Sequence, residues 1–359
     1  MSILSKNKEI DLFSVNCRFQ SIYDILFQYD IPINMDYITI LSTDYFINAA
    51  MLNNVNKIDL LFFSAFNPFF DINLLESLGF ECIEQNPSVN DSLEKILGFC
   101  DNNELVLYYF DSAILSDKYN SNTFKFNLLS TGIALSGDLT KRMITLNSLA
   151  SKNSTVEVDY DKFAQSRSSN IYPFPPNEKS YLIKPLHKIE SLDLNQKVLE
   201  HLKFMGKNYF ETNCLKLTTQ FTIHQGNVAY DICHDYLIKL KQQLLKYESF
   251  DSKTADLWFG IVMKVLRRSL ICSTATFHRK ELATSILNVN KVIKDSGIHD
   301  AAIQMNKVSS YWRKLVRMTY FYYKSIHEKE VYLNEIIDLI EVIKESENKI
   351  MENFMSINI

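Results

Sequence analysis

Glycine and proline are scarce in this chain of 359 residues, which contains only 8 glycines and 7 prolines. No glycine cluster has the GxGxxG or GxxxxGK spacing that lets backbone amides surround a phosphate group. Nucleotide binding through either kind of loop is therefore excluded, and we expect no cofactor.

Long apolar segments are also missing. The longest, from Leu60 to Phe70, has about half of the roughly 20 residues that a membrane-spanning helix needs, and Asn67 and Pro68 interrupt it. The N-terminal segment lacks the sustained apolar stretch of a secretory signal. We predict a cytoplasmic protein that does not bind membranes.

The chain carries no excess of positive charge. Its 38 lysines and arginines face 42 aspartates and glutamates, which gives a net charge of −4. Nucleic-acid binding depends on basic surfaces that displace counterions from phosphates. We therefore predict no nucleic-acid partner.

Cysteines and histidines form no metal-binding pattern. The six cysteines include no CxxC pair, so free thiols in a reducing compartment are expected. His224, Cys233 and His234 are nine and ten residues apart, which does not place them one helical turn apart as ligands. We predict no metal site. The first 186 residues contain no histidine at all.

Hydrophobic residues make up 47% of the chain, which is enough for a large globular core. The length suggests two domains. A proline cluster at 173, 175 and 176, followed by Pro185, separates two halves with different hydrophobic patterns. We predict one domain at residues 1–185 and a second at 186–359.

The first domain is predicted to be α+β, because short β-branched and aromatic runs alternate with polar loops. The predicted strands are Ile38–Leu41, Ile58–Phe63, Gly79–Ile83, Leu105–Phe110, Phe124–Leu135, Met143–Leu146 and Ser180–Ile183. Amphipathic spacing predicts helices at Cys17–Tyr29, Ile72–Leu78 and Asp91–Phe99.

The second domain is predicted to be an all-α bundle, because its apolar residues recur at three- and four-residue spacing. The six predicted helices are Leu192–Phe210, Ala229–Leu245, Thr254–Ile271, Arg279–Asp295, Ala301–Ser325 and Glu330–Met355. Charged positions in these helices are expected on solvated faces. Trp312 is expected to pack between helices.

Cys17 is the candidate nucleophile of the first domain. It stands at the start of the first predicted helix, where the positive end of the helix dipole lowers a thiol pKa and favours the thiolate. A cysteine in this place also fits a small buried apolar residue, so both interpretations stay open on the residues alone.

Seven sequence segments favour the interpretation of Cys17 as a nucleophile. They read NCRFQSIYDILFQYDIPI, LLESLGFECIEQ, ELVLYYFDSAILSDKY, FKFNLLSTGIAL, KRMITLNSL, VEVDYDKFAQSR and YLIKPL. In this order they resemble the N-terminal domain family of butirosin biosynthesis protein H, over roughly residues 10–185. The resemblance implies a papain-like cysteine-hydrolase fold followed by an all-α extension. It also implies acyl transfer from a carrier protein to an amine, as in the founding member.

The resemblance places the family nucleophile on Cys17 and a family strand and loop on Val106–Tyr119. The positions of the family histidine and aspartate fall on Asn127 and Asn147. Asparagine cannot accept the proton that a thiol or an incoming amine must lose. A substitute base would have to come from Asp44, Asp111, Asp117, Asp138, Tyr119 or a histidine of the helical half.

Two hypotheses follow from the resemblance. In the first, Cys17 forms a thioester and transfers an acyl or aminoacyl group in specialised-metabolite biosynthesis. Its partners would be an acyl or peptidyl carrier protein and a small amine. In the second, the chain is a catalytically inactive relative that acts as a binding or partner-activating scaffold, as a homo-oligomer or paired with an intact homologue. A third interpretation is a helical interaction protein with an unrelated α+β domain.

Overall fold

The computed structural model describes residues 17–31, 33–42, 47–55, 58–65, 70–86, 92–115, 129–147, 155–169, 175–186, 193–216, 221–247, 252–272, 275–325 and 328–359. The chain divides into two compact units. Unit 1 comprises Met1–Ile38 and Pro68–Leu192, and unit 2 comprises Thr39–Asn67 and Asp193–Ile359.

The first half of the chain alternates helices with strands. In chain order its elements are α1 (Cys17–Gln28), α2 (Met35–Leu41), β1 (Ile47–Val55), β2 (Ile58–Ala65), α3 (Phe70–Ser77), β3 (Phe80–Glu84), α4 (Leu93–Asp101), β4 (Leu105–Asp111), α5 (Ser112–Leu115), β5 (Leu129–Asp138), β6 (Met143–Asn147), β7 (Thr155–Asp159), α6 (Tyr160–Arg167) and β8 (Ser180–Pro185).

The second half begins with α7 (Leu194–Phe210) and continues with β9 (Asn213–Lys216), β10 (Phe221–Gln225), α8 (Val228–Tyr247), α9 (Ser252–Cys272), α10 (Ala275–Ile293), α11 (Ser296–Lys324) and α12 (Lys329–Met355). These include all six helices predicted for this half. The prediction that the half is entirely helical is wrong, because β9 and β10 form a hairpin.

Unit 1 is built on an antiparallel sheet with the strand order β3-β8-β4-β5-β6-β7. The central strand β4 is buried over all seven residues, as expected for a strand covered on both faces. Even-numbered β4 residues join a core with α4 and α6. On the opposite face, the Tyr109 hydroxyl donates to Asp71 of α3 at 2.8 Å.

Unit 2 contains a four-stranded antiparallel sheet with the order β2-β1-β10-β9. Strand β1 pairs with β2 on one side and with β10, more than 160 residues later in the sequence, on the other. For this reason residues 39–67 belong to unit 2, and the compact units do not follow a single cut between residues 185 and 186. The predicted domain boundary thus lies close to the junction at residues 192 and 193 but omits this earlier segment.

The segment Ile38–Leu41, predicted as a strand, belongs to α2 instead. Its β-branched residues favour a strand locally, but the Asn34 side chain accepts a hydrogen bond from the Asp36 amide at 3.0 Å. The Tyr37 and Ile38 amides also donate to the Asn34 carbonyl oxygen. These contacts form a helix start at Met35, three residues before the apolar run, so the helix continues through it.

A buried ion pair lies among the helices of unit 2. Glu347 of α12 is 0% exposed, and Arg279 of α10 is 1% exposed. The guanidinium of Arg279 donates to the two Glu347 carboxylate oxygens at 3.0 and 3.4 Å. The Trp312 indole donates at 2.9 Å, and the Tyr230 hydroxyl also donates to this carboxylate. Four donors thus compensate one buried carboxylate.

Trp312 packs between helices, as the sequence predicts. Its ring stacks on Phe63 of β2 at a centroid distance of 5.7 Å and approaches Tyr230 at 6.3 Å. Aromatic pairs at these distances add to the stability that burial alone provides. The buried ion pair therefore sits beside the aromatic contact that joins β2 to the bundle. None of the helices that the structure describes is both long and apolar enough to cross a membrane.

Candidate functional site

Helix α1 is described from Cys17 to Gln28, so Cys17 lies in helical backbone. Its role as a nucleophile at the helix start stays a prediction. The side chain of Cys17 and the whole of Asn127 lie outside the described residues, as do Asp44, Asp117 and Tyr119. The described part of the candidate site consists of the rest of α1, the strands that it packs on and Asn147.

Two hydrogen bonds fix the direction in which α1 crosses the sheet. Near its N-terminal end, the Ser21 hydroxyl donates to the carbonyl oxygen of Thr131 at 3.1 Å. Just beyond its C-terminal end, the Tyr29 hydroxyl donates to the carbonyl oxygen of Ile183 at 2.9 Å. Burial, and then the charge of Glu104, raises the pKa of Tyr29, which keeps this hydroxyl protonated as a donor.

The strand register shows at which end of the sheet the N-terminal end of α1 lies. Thr131 pairs with Tyr109, near the end of β4, whereas Ile183 pairs with Leu105, at its beginning. Helix α1 thus runs antiparallel to β4. Its start at Cys17, one turn before Ser21, points to the end of the sheet where β4 ends and β5 begins.

Asp111 is the last residue of β4 and lies at this same end of the sheet. It is 0% exposed, and the Ser169 hydroxyl donates to its Oδ2 at 3.1 Å. Alternation along the strand places Asp111 on the face of Tyr109, the face that α1 and α3 cover. Two of the carboxylates considered as substitute bases, Asp111 and Asp138, lie in the described residues. Of these two, Asp111 lies at the same end of the sheet as the N-terminal end of α1.

Asp138 lies at the opposite end of β5 from the helix start. It is exposed, and the backbone amide of Lys141, the largest cause, lowers its pKa. A carboxylate that is held ionised in a solvated turn is a poor proton acceptor for a thiol at the other end of the sheet. We therefore exclude Asp138 from the site.

Asn147, at the position that the resemblance assigns to an aspartate, is a buried residue at the end of β6. Its Oδ1 accepts a hydrogen bond from the backbone amide of Ile133 at 2.7 Å. Its Nδ2 donates to Asp24 Oδ2 at 3.0 Å and to Ser21 Oγ at 3.4 Å. The side chain thus joins β6, β5 and α1, and these bonds engage both ends of its amide.

Gly132 permits this approach. A Cβ atom at position 132 would lie 3.1 Å from Asn147 Oδ1 and 3.0 Å from a ring carbon of Phe110. Both distances are tighter than ordinary contacts, so a side chain here would push Asn147 away from the sheet. Asn147 and the α1 residues Ser21 and Asp24 form one hydrogen-bonded unit, and Gly132 leaves the space that it needs.

Sequence reasoning identified Asn147 but missed Ser21 and Asp24. The available signal was their spacing, because Cys17, Ser21 and Asp24 are separated by four and three residues and share one face of a helix. This spacing predicts the face of the helix, but it does not predict which strand residue contacts that face. Asp24 also affects its neighbour, since burial and then the Asp24 charge raise the pKa of Tyr23.

The other described cysteines differ sharply in their surroundings. Burial is the main cause that raises the pKa of Cys82 to about 12 and that of Cys100 to about 11. Burial alone also raises the pKa of Cys233. Cys214 is exposed. Any labelling experiment on Cys17 must therefore control for Cys214, because the buried thiols form little thiolate near neutral pH.

No protein-family model matches the chain, and a search of the curated proteins gave no match either. The resemblance to the butirosin family and the papain-like fold therefore stay predictions. The observed unit 1, in which a helix that includes Cys17 crosses an antiparallel sheet, is the structural ground for a functional proposal. In the described part of the chain, no three residues among His, Cys, Asp and Glu are grouped to hold a metal ion.

Proposed function

We propose that Cys17 is the acyl acceptor of a thioester-dependent acyltransferase. The observation that carries this proposal is the direction of α1, whose N-terminal end points to the end of the sheet that also holds the buried Asp111. A thiol at a helix start benefits from the positive end of the helix dipole. This placement activates the thiol without an imidazole, which residues 17–186 do not contain.

The proposed reaction has two balanced steps. The Cys17 thiolate attacks the carbonyl carbon of a donor thioester, an enzyme thioester forms, and the donor thiolate leaves. An amine then attacks the enzyme thioester, the amide forms, and the Cys17 thiolate is released. The amine must lose a proton in the second step, and Asp111 is our candidate acceptor. A thioester donor suits this site because thiolate exchange needs less help from a base than amide cleavage does.

An acyl thioester of N-acetylcysteamine tests the first step. We expect intact-protein mass spectrometry to show one acyl adduct on the native chain and on Cys214→Ser, because Cys214 is the exposed competitor. Cys17→Ser should form the adduct about tenfold more slowly or not at all. Absence of an adduct with acyl chains of several lengths, or an adduct that remains in Cys17→Ser, would overturn the proposal.

Asp111→Asn separates the two steps. Loss of a positioned base is expected to slow transfer from Cys17 to an amine by about 100-fold, whereas formation of the enzyme thioester should be little changed. Single-turnover mass spectrometry with an added primary amine measures both rates. Asp138→Asn is the matched control, since it removes an exposed carboxylate from the far end of β5. Equal rates for the two variants would contradict a role for Asp111.

A second function, a non-catalytic binding or partner-activating scaffold, is favoured by Asn147. Its hydrogen bonds to Ile133 and Asp24 secure α1 on the sheet, and a structural use of this position suits a relative that has lost its catalytic residues. Iodoacetamide distinguishes the two functions. A scaffold predicts that Cys17 in Cys214→Ser reacts no faster than a peptide thiol at neutral pH.

A further inference from the structure

The hairpin of β9 and β10 brings a cysteine and a histidine together in unit 2. The antiparallel register pairs Cys214 of β9 directly with His224 of β10. We propose that Cys214 is a reactive thiol that undergoes exchange with small disulfides, and that His224 accepts its proton. This site lies outside unit 1 and does not depend on the acyl-transfer proposal.

The geometry of a directly paired cross-strand couple supports the proposal. Such residues point to the same face of the sheet, with Cβ atoms about 4.5–5.5 Å apart. Cys214 is exposed on an edge strand, and His224 is half-buried beside it. Side-chain rotation at Cys214 is enough to bring its sulfur within hydrogen-bonding reach of an imidazole at this separation.

The residue on the other side of His224 leaves room for the imidazole. His224 pairs with Ala49 of β1, which is 0% exposed and carries only a methyl group. No polar side chain at that position competes for the ring. The imidazole therefore has an apolar neighbour on the inner side and the thiol on the outer, solvent-accessible side, where a disulfide can approach.

The hairpin register is held from outside the two strands. Gly226 follows β10 with a φ of +84°, and a Cβ there would lie 2.7–2.8 Å from the carbonyl oxygens of Glu211 and Tyr209. The next residue, Asn227, donates its amide to the Tyr209 carbonyl oxygen at 2.8 Å. These contacts tie the end of β10 to the end of α7, two residues before β9 begins. The pairing of Cys214 with His224 is thus built into the fold.

The other described cysteines lack this combination. Burial raises the pKa values of Cys82, Cys100 and Cys233, and negative side chains add to the effect at Cys82 and Cys100. Among the four cysteines whose side chains the structure describes, Cys214 alone is exposed. In the sequence, His224 is considered together with Cys233 and His234 as a metal ligand. The strand register instead selects Cys214, ten residues before His224, which only hairpin pairing can reveal.

The proposed reaction is a thiol–disulfide exchange. His224 takes the proton of the Cys214 thiol, and the thiolate attacks one sulfur of a small disulfide. A mixed disulfide forms at Cys214, the original sulfur–sulfur bond breaks, the second sulfur leaves as a thiolate, and His224 returns its proton to solvent. The Cys214 sulfur is oxidised and the leaving sulfur is reduced, so the disulfide is the only oxidant required.

The aromatic disulfide 5,5′-dithiobis(2-nitrobenzoate) is a suitable probe, because its leaving thiolate is coloured. We would use the full chain in a Cys17→Ser, Cys272→Ser background, which makes the outcome independent of the acyl-transfer proposal and removes the other thiol whose side chain lies outside the described residues. The background should show one fast-reacting thiol, which Cys214→Ser removes. His224→Gln is expected to slow this phase about tenfold or more near pH 7. Thr222→Ala, two residues before His224 on the same face of β10, is the matched control and should have little effect.

A rescue experiment separates proton transfer from structure. Adding free imidazole to His224→Ala should restore part of the lost rate if the ring acts as a base, whereas a merely structural role predicts no rescue. Circular dichroism checks that each variant keeps the native fold. A fast phase that survives Cys214→Ser, or His224→Gln and His224→Ala reacting as fast as the background, would overturn the proposal.

Discussion

Replacing Glu347 with glutamine is expected to lower the free energy of unfolding of unit 2 by about 3–5 kcal/mol, the typical cost of removing one partner from a buried ion pair. The substitution keeps the size of the side chain and removes its charge. Arg279, 1% exposed, then carries an uncompensated positive charge in the core. Urea unfolding, followed by tryptophan fluorescence because Trp312 donates to this carboxylate, measures the effect.

The control for this experiment lies on the same helix. Glu345 is exposed on α12 two residues earlier, and Glu345→Gln should change the free energy of unfolding by no more than about 0.5 kcal/mol. Arg279→Met provides a second check, since it leaves Glu347 with the Tyr230 and Trp312 donors and should cost less than the glutamate substitution. Equal losses in Glu345→Gln and Glu347→Gln would show that the buried pair contributes nothing specific.

The six helices of the second half are predictable from sequence because each buries a continuous stripe at helical spacing. The role of Glu347 is not. In the pattern of α12 it looks like one of several polar positions, yet it faces Arg279 on a helix about 70 residues earlier. Local periodicity gives the face of a helix, whereas the partner of that face depends on the packing of distant elements.

Among the strands, too, some are predictable from local sequence and others depend on distant partners. β4 and β6 are recognisable because their apolar residues are locally dense. β1, INAAMLNNV, contains small and polar residues and reads as a loop. It is a strand because β2 and β10 supply hydrogen-bonding partners on both sides. The hairpin that carries Cys214 and His224 depends on the same non-local pairing, so sequence spacing could not find that site.

For the candidate site, sequence analysis predicted helix α1 and singled out position 147. It described Asn147 as the loss of an aspartate, whereas the structure adds a positive reason for an amide. Asn147 stands 3.0 Å from the Asp24 carboxylate and donates a hydrogen bond to it. An aspartate in its place has no proton to donate at neutral pH. Given Asp24 on the helix, an amide fits position 147 better than a second carboxylate does.

This reasoning predicts that Asn147→Asp destabilises unit 1 by about 2–4 kcal/mol at pH 7, the cost of losing hydrogen bonds that involve a charged, partly buried group. The introduced carboxylate would face Asp24 as a like charge. Two carboxylates that share a site raise the pKa of one of them in the folded state. Folding then binds a proton, so the destabilisation should disappear below about pH 4 and grow as the pH rises through the raised value.

Urea unfolding of unit 1 at several pH values measures this dependence, and hydrogen exchange of α1 amides reports the loosening of the helix directly. The matched variant is the double substitution Asp24→Asn with Asn147→Asp, which exchanges the donor and the acceptor and should recover most of the lost stability at pH 7. A double variant as unstable as Asn147→Asp, or a destabilisation that is constant between pH 4 and 8, would contradict the prediction. Recovery in the double variant would show that Asp24 dictates the asparagine at position 147, and that this residue holds the helix bearing Cys17 on its sheet.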